Sequence, residues 1–400
     1  MNDIFRQNVV YRSANAGTHD KLLTVFLGLY ETKPYIGRVR ESIAAQDWTP
    51  EVQLVVVDNA SSYNPFRDLF PSVGDLKCEV LWLRNQTNYQ ALGSLYASEK
   101  FISTPWVTFM HQDDLYFPNF VSSIVREIRK IQGPSKVMSI SFDYLTTHEG
   151  GAPVHSANPT WFARSGPPHK VFLQNLANHS VPWPSTAFRV EYLFSKRVPF
   201  HSSAFPDTEI ALFQAGMGEC IYVPEVVMNY HEEATSGSRN MIVAEQESLR
   251  FTSLLRVLSS PEFREILDTL DRQERGPWVA EVLDASSAYF FSDSLKSALK
   301  LAVLESLVAG YQYEDEHLNL QLGAELTRIG ASGAAKIVLG LHRAQNRAAN
   351  ANQGQSLGKT KLGWKAFIWG VVSKVWYALP RSLAKAVFRL LPKMLTPRPW

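Results

Sequence analysis

The sequence predicts a doubly wound α/β protein, and three observations carry the prediction. Short apolar runs rich in strand formers alternate with helical stretches at βα spacing. The runs, such as LLTVFLGLY over 22–30 and VQLVVV over 52–57, do not alternate apolar with polar residues. Such runs suit strands buried on both faces of a parallel sheet. Several of them stop in polar clusters, and ligands of open α/β sheets sit beyond the carboxyl ends of the strands.

Taken in order, the first twenty residues are polar and patternless, the expectation for a flexible arm. Leu22 to Tyr30 is the first strand. Pro34 opens a helix through Gln46, with Tyr35, Ile36, Val39 and Ile43 near one face. Val52 to Val57 is the second strand, stopped by Asp58-Asn59-Ala60-Ser61. Cys78 to Leu83 is a third, ending at Arg84-Asn85-Gln86-Thr87-Asn88, and a helix spans Gln90 to Phe101. Trp106 to Met110 is the fourth strand, closed by His111-Gln112-Asp113-Asp114. The clusters Tyr30-Glu31, Asp58-Asn59 and His111–Asp114 are therefore expected on one rim. From Gly150 to Ser185 periodicity fails, the mark of a functional loop or of disorder. Residues 241–348 read as a helical subdomain, 349–360 as a linker and 361–400 as basic amphipathic helices, leaving 21–240 as the α/β domain.

The chain has 400 residues, 45% of them hydrophobic and 20% charged. That composition excludes disordered, collagen-like and coiled-coil chains. Two cysteines, Cys78 and Cys220, are too few for a disulfide framework or a zinc cluster. The amino terminus shows no secretory apolar core, and no run of about 18 apolar residues predicts a membrane span. A cytoplasmic address is the expectation. The net charge of +2 conceals an asymmetry, because no acidic residue follows Glu325 while thirteen Lys and Arg lie between Arg328 and Arg398. The rest holds 27 basic against 38 acidic residues. An acidic body with a basic tail points to an anionic surface as partner.

Two adjacent carboxylates at a strand end, Asp113 and Asp114, can grip a hard divalent cation that neutralises a diphosphate. The same dipeptide also suits a helix N-cap or a solvated turn. No GxGxxG, GxxxxGK[ST] or GxSxG sequence occurs to compete for the rim.

Four segments resemble glycosyltransferase family 2 in order and spacing: LTVFLGLYETKPY, VQLVVVDNAS, NYQALGSLYASEKFISTPWVTFMHQDDLYFP, and FPDTEIALFQAG followed by VPEVVMNYH. They cover about residues 22–236. The resemblance implies a GT-A (Rossmann-like) nucleotide-sugar-binding domain that inverts anomeric configuration. It implies that Gly28, Tyr30 and Glu31 hold the nucleotide base, and that Asp58 and Asn59 read base and ribose. Asp113 matches the metal-binding end of the family's DxD motif, with His111 in place of its first Asp and Asp114 beside it. His111 then serves as a metal or phosphate contact or as a structural histidine. Asp207 falls where the family places its general base, with Glu209 as the alternative and an N-cap role as the competing reading. His231 falls near the diphosphate, as a metal ligand or a balance of phosphate charge. Trp161 and Trp183 mark a region suited to stacking on a sugar.

The implied cofactor is Mg2+ or Mn2+, the donor UDP- or dTDP-linked, and the acceptor a glycan, lipid-linked in bacterial surface-polysaccharide or O-antigen assembly. Two rivals stand beside this reading. A nucleotidyltransferase would carry a Gly-rich, Lys- or Arg-bearing loop where this chain has ETKPY. A non-catalytic nucleotide-sugar-binding scaffold would tolerate His111 and Asn59 in the acidic pattern.

In the tail, Trp364, Phe367, Ile368, Val371, Val375 and Trp376 recur at helical spacing, and Arg381, Lys385 and Arg389 every fourth residue. Nine cations and no acid lie between Lys359 and Arg398. Such helices suit an anionic membrane surface, at about 1 kcal/mol per basic residue near the leaflet. A helix pair packed on the body is the competing reading. Wide Trp-rich faces suit nucleic acid poorly, so no nucleic-acid partner is expected and the inner face of the cell membrane is the expected address.

Overall fold

The computed structural model describes residues 6–13, 20–131, 136–148, 151–155, 167–178, 183–195, 206–232 and 243–288, with Leu299 and Val303. The linker, the basic tail and Trp161 lie outside the described residues. The residues fall into two units, the first ending at Ile242 but including Pro261–Thr269.

The first element among the described residues is a strand, β1 (Gln7–Arg12), where the polar composition suggested only an arm. It pairs antiparallel with a strand more than sixty residues on, a partner that no local pattern announces. The first predicted strand is β2 (Leu23–Leu29), followed by a 3-10 turn at Lys33–Tyr35 and helix α1 (Ile36–Ala45). Every residue of β3 (Val52–Asp58) is buried, as its unbroken valines require. Helix α2 (Pro65–Val73) starts at proline, whose missing N–H costs nothing in a first turn, and Asn64 caps it by accepting from the Phe66 amide at 3.1 Å. Strand β4 (Glu79–Asn85), helix α3 (Gln90–Ser98) and strand β5 (Trp106–His111) complete the parallel βα run.

Beyond it the sheet becomes mixed. A two-residue strand, β6 (Leu115–Tyr116), precedes helix α4 (Phe120–Lys130) and the long strand β7 (Val137–His148), against which β8 (Val154–His155) folds back. The irregular segment contains helix α5 (Pro168–Asn178), whose Val171, Phe172 and Leu176 are buried. Surrounding Gly and Pro hid that helix. Strand β9 (Thr186–Arg189), helices α6 (Val190–Ser195) and α7 (Pro206–Met217), and strand β10 (Glu219–Glu232) follow.

Among the described residues ten strands lie in the order β1-β4-β3-β2-β5-β9-β7-β10-β6, with β8 beside β7. Strands β2 to β5 are mutually parallel, so their carboxyl ends share one edge. One face carries Leu23, Val25, Leu27 and Leu29 into a core with Val39 and Ile43 of α1, Leu69 and Val73 of α2, and Phe120 and Ile124 of α4. Burying each such side chain contributes about 1.5–3 kcal/mol. Phe26 and Phe109 point the other way and meet edge-on at 5.9 Å, with Phe188 at 5.8 Å from Phe109.

The second unit contains α8 (Val243–Leu258), after which α9 (Pro261–Asp268) returns to the first unit through Phe263, 5.4 Å from the ring of Phe172. Helix α10 (Arg272–Ser287) belongs to the second unit and buries Val279, Val282 and Leu283. Among the described residues no helix is long and apolar enough to cross a membrane.

Candidate functional site

The shared edge of β2 to β5 is held together by polar side chains. Gln112, just past β5, accepts at Oε1 from the Tyr30 amide and the Thr32 hydroxyl, both at 2.8 Å. Its Nε2 donates to the Tyr30 carbonyl at 2.8 Å. One amide thus locks the loop after β2 to the end of β5. Glu31, Ala60 and Gln90 take φ values of 47°, 64° and 60°. All three stand in the connections along this edge. Left-handed backbone at non-glycine residues is strained, and it persists only where the surroundings enforce it.

The acidic cluster lies next to this clamp. Ligating atoms of His111, Asp113 and Asp114 all fall within 4.8 Å of one another. His111 ends β5, and its backbone N–H donates to the Tyr116 hydroxyl at 2.7 Å. Asp114 is buried and accepts the His231 backbone amide at 3.0 Å, while its second oxygen lies 3.7 Å from His111 Nδ1. The Arg38 guanidinium holds the Asp113 carbonyl. Burial pulls the His111 imidazole below its usual pKa, against the opposing pull of Asp113. At neutral pH the ring is therefore uncharged and has a lone pair to offer. His231 lies on β10, with Nε2 3.1 Å from Asn229 Nδ2.

A cavity of about 630 Å3 opens on this edge. Gly28, Tyr30, Asn59, His111, Gln112 and Asp113 line it. Asp207 and Trp183 face it from the elements that follow β7. Trp183 stacks on Phe109 at 4.4 Å with 32° between the rings, so an aromatic surface joins the polar residues that line the cavity. Asp207 sits inside the first turn of α7 rather than before it, because Pro206 opens the helix. Its Oδ1 accepts the Thr208 amide at 2.9 Å. Burial raises the Asp207 carboxyl above its ordinary pKa and nearby Glu209 adds to the rise, while backbone N–H groups oppose it.

The expected site residues therefore divide. Gly28, Tyr30, Asn59, His111, Asp113 and Asp207 line one cavity. Asp58 is buried behind it, accepting from the Ser61 amide at 3.0 Å and pairing with Arg84 at 3.4 Å. The Glu31 carboxylate turns to Ser62, taking its amide at 2.7 Å and its hydroxyl at 2.9 Å. Sequence reasoning passed over Gln112 and Tyr116, which orient this site. The position of Gln112 within the strand-end cluster was the available signal.

Residues 24–192 match the family model described as glycosyl transferase family 2. These residues are a glycosyl transferase family 2 domain. Its mixed sheet and flanking helices form the GT-A fold. The solved structure of S. aureus TarS 1-349 is 15% identical, covering 82% of this chain and 92% of that one, with a TM-score of 0.52. The same protein in complex with UDP-GlcNAc aligns over equal shares at 15% identity with a TM-score of 0.54. No curated protein matches the chain by sequence. The match runs from β2 into α6 and includes neither β1 nor Asp207.

Proposed function

We propose that the chain is an inverting transferase moving a sugar from a UDP- or dTDP-linked donor to a hydroxyl of a glycan. One observation carries the reading: Asp207 faces the same cavity as His111 and Asp113. His111, Asp113 and Asp114 suit Mg2+ or Mn2+, offering two carboxylates and a neutral imidazole within 4.8 Å. Bound there, the cation supplies positive charge for the leaving diphosphate. His231 assists by fixing Asp114 through its backbone amide.

Tyr30, Glu31, Asp58 and Asn59 organise the base and ribose end, two at the surface of the cavity and two as its support. Asp207 takes the proton of the acceptor hydroxyl as that oxygen bonds to the anomeric carbon. The bond from that carbon to the diphosphate oxygen breaks on the opposite face, and the diphosphate leaves with the electron pair. The raised pKa of Asp207 makes it a stronger base than a solvated aspartate once ionised. Trp183 and Phe109 offer an aromatic surface for the apolar face of a sugar ring.

The basic tail supports a lipid-linked acceptor at the inner face of the cell membrane, in bacterial surface-polysaccharide or O-antigen assembly. The domain division we infer is the family 2 region over 21–240, a helical region over 241–348, a linker and the membrane-associating tail.

The test is donor hydrolysis by purified protein with Mn2+ across a nucleotide-sugar panel, beginning with the UDP-GlcNAc held by TarS. Metal-dependent release of nucleoside diphosphate from one donor, lost in Asp113→Ala and Asp207→Asn, supports the reading. Nucleotide binding without any turnover, even with acceptors supplied, favours the scaffold. No binding of any nucleotide, with or without metal, sinks the transferase.

A further inference from the structure

Upstream of the family 2 domain, β1 reaches the cavity through a chain of side-chain amides. Gln7 Nε2 donates to Asn85 Oδ1 at 2.7 Å. Asn85 Nδ2 in turn donates to Asn59 Oδ1 at 2.8 Å and to the Ser94 hydroxyl at 2.9 Å. Asn59 Oδ1 also accepts the Tyr89 amide at 2.9 Å, and Asn59 Nδ2 donates to Asn88 Oδ1 at 2.6 Å. Asn88 Oδ1 accepts the Gln90 amide at 2.8 Å, where the backbone turns left-handed to start α3. Asn59 and Ser94 line the cavity. The backbone of Arg6 clamps the same loop, accepting from Gln86 at 3.1 Å and donating to the Tyr89 hydroxyl at 2.8 Å.

The direction of each bond in this chain is fixed. Backbone N–H groups can only donate, so Tyr89 holds Asn59 Oδ1 in place, and Asn85 must present its nitrogen to that oxygen. The Asn85 oxygen then faces β1 and needs a donor, which Gln7 supplies. Asn85 is buried, so an unpartnered oxygen there carries the full desolvation penalty.

We propose that Gln7 is a positioning residue for the nucleotide, setting the amide orientation of Asn85 and through it the placement of Asn59 and the start of α3. The inference rests on the cavity being the donor site. Gln7→Glu is nearly isosteric but sets a carboxylate against the Asn85 oxygen. Flipping Asn85 to suit the carboxylate would only move the clash to Asn59, whose oxygen the Tyr89 amide holds. Ser98→Ala removes the other bond of Gln7, to the Ser98 hydroxyl at 3.0 Å, and leaves the chain of amides intact.

The experiment is calorimetric titration of the full chain with UDP, dTDP and GDP in the presence of Mn2+. For the diphosphate that the unaltered chain binds, Gln7→Glu should weaken Kd about tenfold, the scale of one buried hydrogen bond. Ser98→Ala should stay within twofold. In an Asn59→Ala background, Gln7→Glu should add no further loss, because the chain is already cut. A role confined to holding β1 would lower Tm without this non-additivity. Should Gln7→Glu fail to fold, Gln7→Met, which only removes the donor, carries the test at about threefold. Wild-type affinity in the Gln7 variants, with Asn59→Ala weakened, overturns the proposal and leaves the donor site standing. Failure of the unaltered chain to bind any diphosphate overturns both.

Discussion

Replacing Gln112 with Met keeps the length of the side chain and deletes its three hydrogen bonds to Tyr30 and Thr32. A hydrogen bond contributes about 0.5–1.5 kcal/mol net. The two bonds to Tyr30 are exposed, where water can replace them, and the bond from buried Thr32 is not, so their joint worth is about 1.5 kcal/mol, or roughly a tenfold change in the population of the closed loop. The loop after β2 would then open locally without unfolding the sheet, because its residues contribute little to the core. The expected result is a donor KM about tenfold higher with kcat little changed, since the ordered loop contributes to binding before chemistry begins. Tm should move by less than about 2 °C. Steady-state kinetics against donor concentration and a thermal melt of the same preparation measure both. A donor KM within twofold of the unaltered enzyme, or a kcat that falls while KM stays fixed, would refute the clamp.

The half-buried carboxyl of Asp207 gives a signed expectation. Its folded pKa lies above its unfolded value, so ionisation penalises the folded state once pH exceeds the folded pKa, and the penalty vanishes below the unfolded pKa. Asp207→Asn should therefore abolish turnover while raising Tm at pH 7–8, with the gain in Tm fading at acidic pH. Turnover of the unaltered enzyme should fall as pH drops through a pKa above the ordinary 3.8. Gly218→Ala would place a Cβ 2.2 Å from the Lys136 carbonyl oxygen and 2.5 Å from Met138 Cε at the turn from α7 into β10. It should cost about 3 kcal/mol and lower Tm by roughly 6 °C, read in a thermal melt. Burial pushes the Cys78 thiol up to about 12 and the Cys220 thiol to about 11. A thiol reagent at pH 8 should label neither until the chain is unfolded, and fast labelling of the native protein would contradict the packing of β4 and β10.

The parallel half of the sheet was legible because strands buried on both faces cannot hide: the valines of β3 leave no polar alternation for a helix or a loop to use. Its shared edge followed from the order of elements. Strand β1 was not legible, since no residue from Gln7 to Arg12 is fully buried and its pairing partner, β4, lies far along the chain. Helix α5 was obscured for a different reason. Its apolar face consists of Val171, Phe172 and Leu176 within a segment whose flanks carry the Gly and Pro of a loop. Composition averaged over that segment reports the flanks and not the helix.

The acidic residues show where local reading stops. In sequence, Glu31, Asp58, Asp113, Asp114 and Asp207 are equivalent carboxylates at element ends. The fold separates them by what reaches each one. Asp58 receives Arg84 and the Ser61 amide, Glu31 receives Ser62, and Asp114 receives an amide 117 residues away. Asp58 and Glu31 are engaged in holding loops in place, while Asp114 keeps its second oxygen 3.7 Å from His111 Nδ1, within the cluster that suits a cation. Asp113 and Asp207 instead both line the cavity, one beside an uncharged imidazole and the other raised in pKa by burial. A reaction that must both steady a leaving diphosphate and take up a proton needs that asymmetry, because a single environment cannot keep one carboxylate ready for a cation and make the other a stronger base.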